Sequence, residues 1–512
     1  MGRGQQEEQP FLDAPLIDSE NNDDVGDPSY YHGNNATTVV GVRQPTRCRD
    51  SWAAMLFYGQ LAGVAAVAGI LGAPAIVGRE GVDDDGSSSS SSSGAGLLYG
   101  FVSFVLSGLS LLIMSAFPKF LIQLSLLSSL AWSLAVAVSS FLLLPSPANV
   151  VGGAVGISLF LLSTCYALVV WRRIPYASSN LETGLSAIRA NAGSVLVACA
   201  MIAISIGYTI LWMAAFVGVY DREEGSCAAY GRSAEGEGSD GTTGGEVVVC
   251  EDGLAWGYLF LLLLAYFWTE QVFQNTIHVV IAGVVSTWWF APGEASSFCY
   301  VAIRDSFVRA TTTSFGSICF GSLLVAIIET LRAIVESARS DPDNDGCAAF
   351  LLCIVDCLLS CLEGTLEYFN KFAYIYVGMY GYGYLEAGKN VMTLFRQRGW
   401  TIIIADNLVS NVLSLFVVVI GVVTGCVGLL MNDINPSWFE GFEGTAMGVA
   451  FGFSFLVGIV ISAILLSVVD SSINTVLVCF AEAPGEFEEN HPELSSNMRD
   501  AWRKVYPIEC GF

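Results

Sequence analysis

Long apolar stretches alternate with short polar connections from about residue 51 to residue 470 of this chain. Each stretch reaches or exceeds the roughly 20 residues that a helix needs to cross the hydrocarbon of a bilayer. The pattern therefore predicts an all-α, polytopic integral membrane protein with about ten transmembrane helices. The predicted spans are 51–77, 97–117, 120–144, 150–171, 194–220, 254–290, 311–333, 348–384, 402–431 and 446–470.

Two of these spans, 254–290 and 348–384, are longer than a helix perpendicular to the membrane needs. Each is expected to be broken, strongly tilted or extended along the interface. Together the spans form a predicted transmembrane transporter domain over residues 51–480. The first apolar stretch begins near Trp52, which is too deep in the chain for a cleaved signal peptide.

Three polar segments surround or interrupt this domain. Residues 1–50 are acidic and rich in Asn, Gln and Pro, which predicts a disordered cytoplasmic tail. Residues 221–253 are rich in Glu, Gly and Ser and are predicted to form an extracytoplasmic loop. Residues 481–512 are predicted to form a second cytoplasmic tail.

The composition supports a membrane location, because only 13% of the residues are charged while 53% are hydrophobic. Soluble chains carry about 25% charged residues. The net charge of −25 comes with no basic run, so no nucleic-acid partner is expected. The chain lacks the motifs GxxxxGK[ST], GxSxG and HExxH and any Cys or His cluster at zinc spacing. We therefore expect no enzyme activity, no cofactor and no metal site.

Lysine and arginine give the orientation, since both are enriched in cytoplasmic loops. If the chain has ten spans, sixteen Lys and Arg residues fall on the side of the N-terminus and five on the opposite side, and Lys371 lies at membrane depth. Both termini are therefore predicted to be cytoplasmic. Cys227 and Cys250 then flank a loop on the outside, where oxidation is allowed, which predicts a disulfide between them.

The first candidate site is a polar stripe inside the span 254–290. Trp268, Gln271, Asn275 and His278 share one helix face, and Glu270 lies beside them. Polar residues are costly in the membrane and usually face the interior of the bundle. Two interpretations remain open: the stripe lines a substrate path, or it supplies hydrogen bonds between helices.

The second candidate site is a stripe in the span 348–384. Its residues recur at helical spacing, and three of them are carboxylates. The stripe consists of Asp356, Ser360, Glu363, Glu367, Asn370 and Tyr374. Lys371 follows Glu367 by one turn, which predicts an ion pair between them. The alternative is that part of this stripe is hydrated at the outer interface. Asp470 and Asn474 lie at the end of the last predicted span, where a helix-end role competes with a functional one.

Several long motifs resemble those of the choline transporter-like family of solute carriers, over about residues 51–484. The closest stretches are PYASSNLETGLSAIRAN, FWTEQVFQNTIHVVIAGVVSTWWF, RATTTSFGSICFGSLLVAIIETLR, FNKFAYIYVGMYGYGYLEAGKN and SVVDSSINTVLVCFAEAP. The resemblance implies ten spans, two cytoplasmic termini and a place in the plasma membrane, with an endomembrane as the alternative. The short connection 79–96, which has no glycosylation sequon, is similar to that of fungal, plant or protist relatives.

The same resemblance implies transport of choline or a related amine such as ethanolamine, by a secondary carrier or a facilitator. A quaternary ammonium is held best by aromatic faces with a carboxylate nearby. The expected groups are Trp268 with Glu270, and Tyr374, Tyr376 and Tyr380 with Glu363 or Glu367. Two alternatives are a carrier or channel for another solute, and a membrane scaffold or trafficking protein without transport activity.

Overall fold

The computed structural model describes residues 43–74, 88–143, 145, 148–235, 253–295, 301–339, 346–398, 408–436 and 445–507. Regular structure in these residues is helical throughout. The first half contains α1 (Ser51–Val67), α2 (Ser88–Ala116), α3 (Pro118–Leu143), α4 (Ala148–Val170), α5 (Ile174–Ala190), α6 (Gly193–Glu235) and α7 (Gly253–Phe290). The second half contains α8 (Val301–Thr311), α9 (Phe315–Arg339), α10 (Gly346–Tyr380), α11 (Tyr384–Arg398), α12 (Leu408–Ile434), α13 (Ala446–Glu482), α14 (Pro484–Asn490) and α15 (Pro492–Val505).

Eight helical stretches in the described part of the chain are long and apolar enough to cross a membrane. They are Ser51–Gly72, Gly96–Ala116, Pro118–Leu143, Asn149–Ala190, Gly193–Tyr220, Phe315–Arg339, Leu408–Ile434 and Ala446–Glu482. The predicted fold class, an all-helical polytopic membrane protein, is confirmed. The helices α7 and α10 are also long enough to cross, but they carry the two polar stripes identified above.

The two long predicted spans differ in how their extra length is used. The helix α7 is unbroken over 38 residues, which is about 57 Å at 1.5 Å per residue. The helix α10 ends at Tyr380, and the chain turns through Gly381, whose φ of 76° suits glycine, into α11. The last spanning helix, α13, continues twelve residues beyond its predicted end at residue 470.

The helix α7 is central to the bundle. It packs against α6, α9, α10 and α13, and side chains such as Val280, Ala282 and Trp289 are fully buried. Around this centre, α12 packs along α13, and α3 packs along α4. Many side chains of α2, α3 and α4 are exposed apolar groups, as expected of helices that face lipid.

Short helices cover one end of the bundle. The helix α15 lies on α5, where Trp502 Nε1 donates to Asn180 Oδ1 at 2.9 Å. The helix α14 lies at the end of α7, and the Phe487 ring stacks on Trp289 with centroids 4.0 Å apart. The described part of the predicted C-terminal tail is therefore packed against the bundle.

Residues 43–50, which were predicted to belong to the N-terminal tail, lie at this same end and form what we call the N-terminal strap. Its backbone donates from Gln44 to the Tyr380 carbonyl at 2.8 Å and from Arg49 to the Thr313 carbonyl at 3.1 Å. The Asp50 Oδ2 atom accepts from Ser317 Oγ at 2.7 Å and from the Tyr384 amide at 3.1 Å.

The strap and the C-terminal helices share one end of the bundle, which agrees with an even number of membrane crossings. The predicted tail over residues 1–42 lies outside the described residues. So does most of the predicted outer loop over 221–253, of which the described part up to Glu235 continues α6.

Candidate functional site

The polar stripe of α7 reaches α9 through three side chains. Trp268 Nε1 donates to the Cys319 carbonyl at 2.9 Å, and Asn275 Nδ2 donates to Ser322 Oγ at 3.0 Å. In the C-terminal half of α9, Glu329 Oε1 accepts a hydrogen bond from Gln271 Nε2 at 2.7 Å. These three residues, which helical spacing places on one face of α7, therefore all contact the same partner helix.

The aromatic side chain of Tyr374 brings α10 into the same interface. It is fully buried, and its hydroxyl donates to the Ile318 carbonyl at 3.2 Å. The Ser322 hydroxyl, which already accepts from Asn275, lies 3.5 Å from the Tyr374 hydroxyl. Trp268 and Tyr374 thus reach adjacent peptide groups of α9, one from each side.

Glycine at position 321 allows this close approach. A Cβ atom there would clash with the Tyr374 hydroxyl and with the Tyr384 ring. The Tyr384 hydroxyl donates to Asn370 Oδ1, and Asn370 Nδ2 lies 3.4 Å from the Gly321 carbonyl. The interface between α9 and α10 therefore depends on the absence of a side chain at this position.

Glu270 points away from this interface and towards α6. Ser205 Oγ lies 2.9 Å and 2.8 Å from the two carboxylate oxygens, and Thr209 Oγ1 lies 3.4 Å from one of them. The predicted pairing of Trp268 with Glu270 is consequently divided between two faces of α7. Glu270 belongs to a separate polar contact between α6 and α7.

His278 connects α7 to two further helices. Its Nδ1 atom is 2.7 Å from Ser471 Oγ on α13, and its Nε2 atom is 2.7 Å from the Lys371 carbonyl on α10. A carbonyl only accepts, so Nε2 carries the hydrogen in this contact. The His278 ring also lies edge-on to Tyr374, with centroids 6.4 Å apart.

The charged end of Lys371 reaches α13 as well. Its Nζ atom is 3.3 Å from Asp470 Oδ2. The predicted ion pair between Lys371 and Glu367 is therefore replaced by a pair that crosses between helices. Asn474 Nδ2 donates to Asp470 at 2.8 Å, and Ser410 Oγ on α12 donates to it at 3.2 Å.

Glu363 lies in a charged cluster towards the other end of α9 and α10. Arg332 donates to Glu363 and, at 3.2 Å, to Asp356. Glu363 precedes Tyr374 by eleven residues, which is about 16 Å along the helix. Glu367 is exposed and precedes Tyr374 by about 10 Å on the same scale. The structure thus does not place these carboxylates against Tyr374, Tyr376 or Tyr380.

Tyr376 and Tyr380 lie instead in a cluster at the end of the bundle that holds the N-terminal strap. Their ring centroids are 5.3 Å apart, and both interact with the carboxylate of Glu482, which is only 1% exposed. Arg398 of α11 lies nearby. Burial lowers the pKa of the Arg398 guanidinium, and the Glu482 carboxylate opposes this shift by favouring the charged form.

The sequence pattern did not indicate Glu329 or Glu482, and it named Asp470 without its pairing with Lys371. A lone glutamate inside an apolar span, as in AIIETLR, was the available signal for Glu329. For Asp470 the signal was the apolar sequence that continues past it to Cys479. The predicted disulfide between Cys227 and Cys250 lies outside the described residues and stays a prediction.

Comparison with known proteins agrees with the motifs quoted above. The sequence profile of the family described as "Plasma-membrane choline transporter" matches residues 154–485. The chain is similar to Protein PNS1 of Gibberella zeae, with 28% identity over 475 residues, which cover 90% of this chain and 83% of the relative. It is also similar to Protein PNS1 of Mycosarcoma maydis, with 27% identity over 410 residues, 79% of this chain and 72% of the relative.

Proposed function

Because this chain belongs to the plasma-membrane choline transporter family, which is a family of transporters and not of enzymes, we propose that it moves choline or a related small amine, such as ethanolamine, across the plasma membrane. It does so as a secondary carrier or a facilitator. The predicted resemblance is confirmed at the level of the family, and its relatives include fungal proteins, as the short connection 79–96 predicted.

The observation that carries the proposal is the polar interface among α7, α9, α10 and α13. Hydrogen-bonding and charged side chains from all four helices meet there, inside helices that are otherwise apolar. Each such group costs free energy in the membrane, and polar groups in membrane helices commonly mark the path of a substrate or an ion. A path for a small polar cation does need them.

The aromatic part of this interface suits a quaternary ammonium. Trp268 and Tyr374 approach the same turn of α9 from two helices, and cation–π attraction is worth roughly 0.5–2 kcal/mol per ring. Both side chains are buried in this conformation, with 5% and 0% of their surfaces exposed. We therefore infer that this conformation is closed and that α9 separates from α7 or α10 when the substrate enters.

Carboxylates on α9 and α10 support the approach of a cation. Glu329 accepts from Gln271 of the polar stripe, and Glu363 and Glu367 interact electrostatically with Glu329. Negative charge at the mouth of a path raises the local concentration of cations. If both termini are cytoplasmic, as the lysine and arginine distribution predicts, the C-terminal end of α9 and the N-terminal end of α10 face outward.

Uptake into proteoliposomes tests the proposal. Purified protein should accumulate radiolabelled choline above the level of protein-free liposomes, and unlabelled ethanolamine should compete while carnitine measures the selectivity. The absence of uptake of either amine would contradict the proposal and leave another solute or a scaffold role. Thiol labelling of the loop 221–253 only after permeabilisation would contradict the orientation.

A further inference from the structure

The carboxylate of Asp470 is partly buried in the bundle, far from the end of its helix, and is paired with a cation from its own chain. Asp470 precedes the end of α13 at Glu482 by twelve residues, or about 18 Å along the helix axis. At that depth an unpaired carboxylate is costly, so a positive charge is needed beside it. The Lys371 ammonium supplies that charge at 3.3 Å.

The groups around Asp470 hold its carboxylate in a fixed position beside an ammonium. One carboxylate oxygen faces the Lys371 Nζ atom, and the Asn474 amide and the Ser410 hydroxyl fix the carboxylate in place. The side chains of Lys371 and Asp470 are 22% and 34% exposed, so neither is sealed in. Lysine is a compact ammonium on a flexible stem, which resembles a small amine that is permanently tethered to its site.

Lys371 has a second carboxylate within reach on its own helix. Glu367 precedes it by four residues, and a glutamate four residues before a lysine is the favourable order for an ion pair along a helix. In the described residues the Glu367 carboxylate is exposed and makes no ion pair. The ammonium of Lys371 is thus paired with Asp470 across the helices in this conformation, and a second carboxylate, which is unpaired within the described part of the chain, lies four residues earlier on α10.

We propose that Asp470 binds the ammonium group of the transported amine, and that Lys371 occupies Asp470 when the amine is absent and moves to Glu367 when it arrives. This inference rests on the proposed function, because it names the carboxylate that recognises the substrate. The exchange replaces one cation with another, so Asp470 never faces the membrane interior without a counter-charge.

The position of Lys371 also connects this exchange to the polar stripe of α7. The Lys371 carbonyl accepts from His278, and the other ring nitrogen of His278 contacts Ser471, the neighbour of Asp470. His278 therefore touches both helices that the ion pair joins. Release of Lys371 removes the ionic contact between α10 and α13 and leaves the His278 contacts as the hinge between them.

The test uses full-length protein in detergent and in proteoliposomes, with two measurements on each variant. Thermal stabilisation by choline gives the concentration for half-maximal binding, and radiolabelled choline uptake gives the half-saturation concentration and the maximal rate. Asp470→Asn should raise both concentrations at least tenfold. Lys371→Met should lower the binding concentration about tenfold, because the tethered competitor is gone, and should reduce the maximal rate because nothing displaces the amine.

Two further variants separate this exchange from a structural ion pair. The double variant Lys371→Met/Asp470→Asn should bind as poorly as Asp470→Asn alone, whereas recovery of normal binding would show a purely structural pair and overturn the proposal. Glu367→Gln should weaken choline binding several-fold, since Lys371 loses its alternative partner. Lys389→Met is the matched control, because Lys389 is exposed on α11, and it should bind choline within twofold of the unchanged protein.

The outcomes also distinguish this inference from the proposed function. If Asp470→Asn unfolds the protein, Asp470→Glu keeps the charge and tests the site by its altered fit. If neither choline nor ethanolamine is transported but tetramethylammonium stabilises the protein through Asp470, the proposed function fails and the site stands. If Asp470→Asn and Lys371→Met both keep the choline affinity of the unchanged protein, the site fails while the transport proposal stands.

Discussion

Polar side chains within the membrane helices behave differently in the helices α2 and α3 than in α7. In α2 and α3, hydroxyls mostly donate to carbonyls of the same helix, as Ser107 does to Ser103 and Ser129 does to Leu126. In α7, the side chains of Gln271, Asn275 and His278 bond to other helices. A hydroxyl that satisfies itself within its own helix leaves that helix free to face lipid, whereas an amide or imidazole requires a partner helix.

This difference separates the polar residues that are tolerated from those that organise the bundle. The contacts of α7 fix its rotation relative to α9, α10 and α13, because they hold one face of the helix against groups of these three neighbours. The hydroxyls of α2 and α3 fix far less. Four experiments test the comparison, beginning with the change that should have the largest effect.

Gly321→Ala should destabilise the protein by about 1–3 kcal/mol and abolish most choline uptake, because the added methyl group clashes with Tyr374 and Tyr384. Thermal unfolding in detergent and uptake in proteoliposomes measure the two effects. Gly207→Ala in α6 is the control, since a Cβ atom there meets nothing within 4 Å and should leave both measurements unchanged. Equal effects at the two glycines would contradict the close approach of α9 and α10.

Trp268→Leu should raise the half-saturation concentration for choline about tenfold, because the loss of one aromatic face costs about 1.4 kcal/mol. Concentration-dependent uptake measures it. Trp132→Leu in α3 provides the control, since that ring is 74% exposed and has no place in the α7 interface. The idea of an aromatic hold fails if Trp268→Leu and Tyr374→Leu both keep the normal half-saturation concentration.

Glu270→Gln should lower choline uptake several-fold while the unfolding temperature changes little, since glutamine keeps the shape and the hydrogen bonds with Ser205. The variant removes only a negative charge between α6 and α7. Uptake per folded molecule is the measurement, with Glu182→Gln on the exposed face of α5 as the control. Unchanged uptake would assign Glu270 to helix packing.

The smallest effect is expected at the self-satisfied hydroxyls. Ser129→Ala should change the free energy of unfolding by less than about 0.5 kcal/mol, because its bond stays within one helix and the site is not at an interface with another polar group. Ser322→Ala should cost about 1 kcal/mol, since Asn275 then loses its acceptor. A larger loss at Ser129 than at Ser322 would reverse the comparison.

The sequence was sufficient for the class of fold and for the composition of the α7 stripe, because helical periodicity fixes which residues share a face. It did not specify the partner of each face. Glu270 is one residue from Gln271, yet a step of about 100° around the helix directs it to α6 instead of α9. A single residue of spacing therefore separates two different sites.

The position of Asp470 was obscured for a related reason. The charge of Asp470 and the polar residues after it suggested the end of a span. The helix α13 continues nevertheless, because Lys371 of α10 compensates the charge of Asp470. Likewise, the spacing of four residues favoured Glu367 as the partner of Lys371, and the tertiary contact with Asp470 prevails in this conformation. Local spacing gives the available partners, and packing decides among them.

The N-terminal strap has a consequence for the direction in which the bundle opens. Its residues are bonded both to the start of α9, through Thr313 and Ser317, and to the turn after α10, through Tyr380 and Tyr384. The strap therefore holds α9 and α10 together at one end, and any separation of the two helices is a rotation about that end. The aperture is then widest at the far end, so a solute meets the interface first from the side opposite the termini.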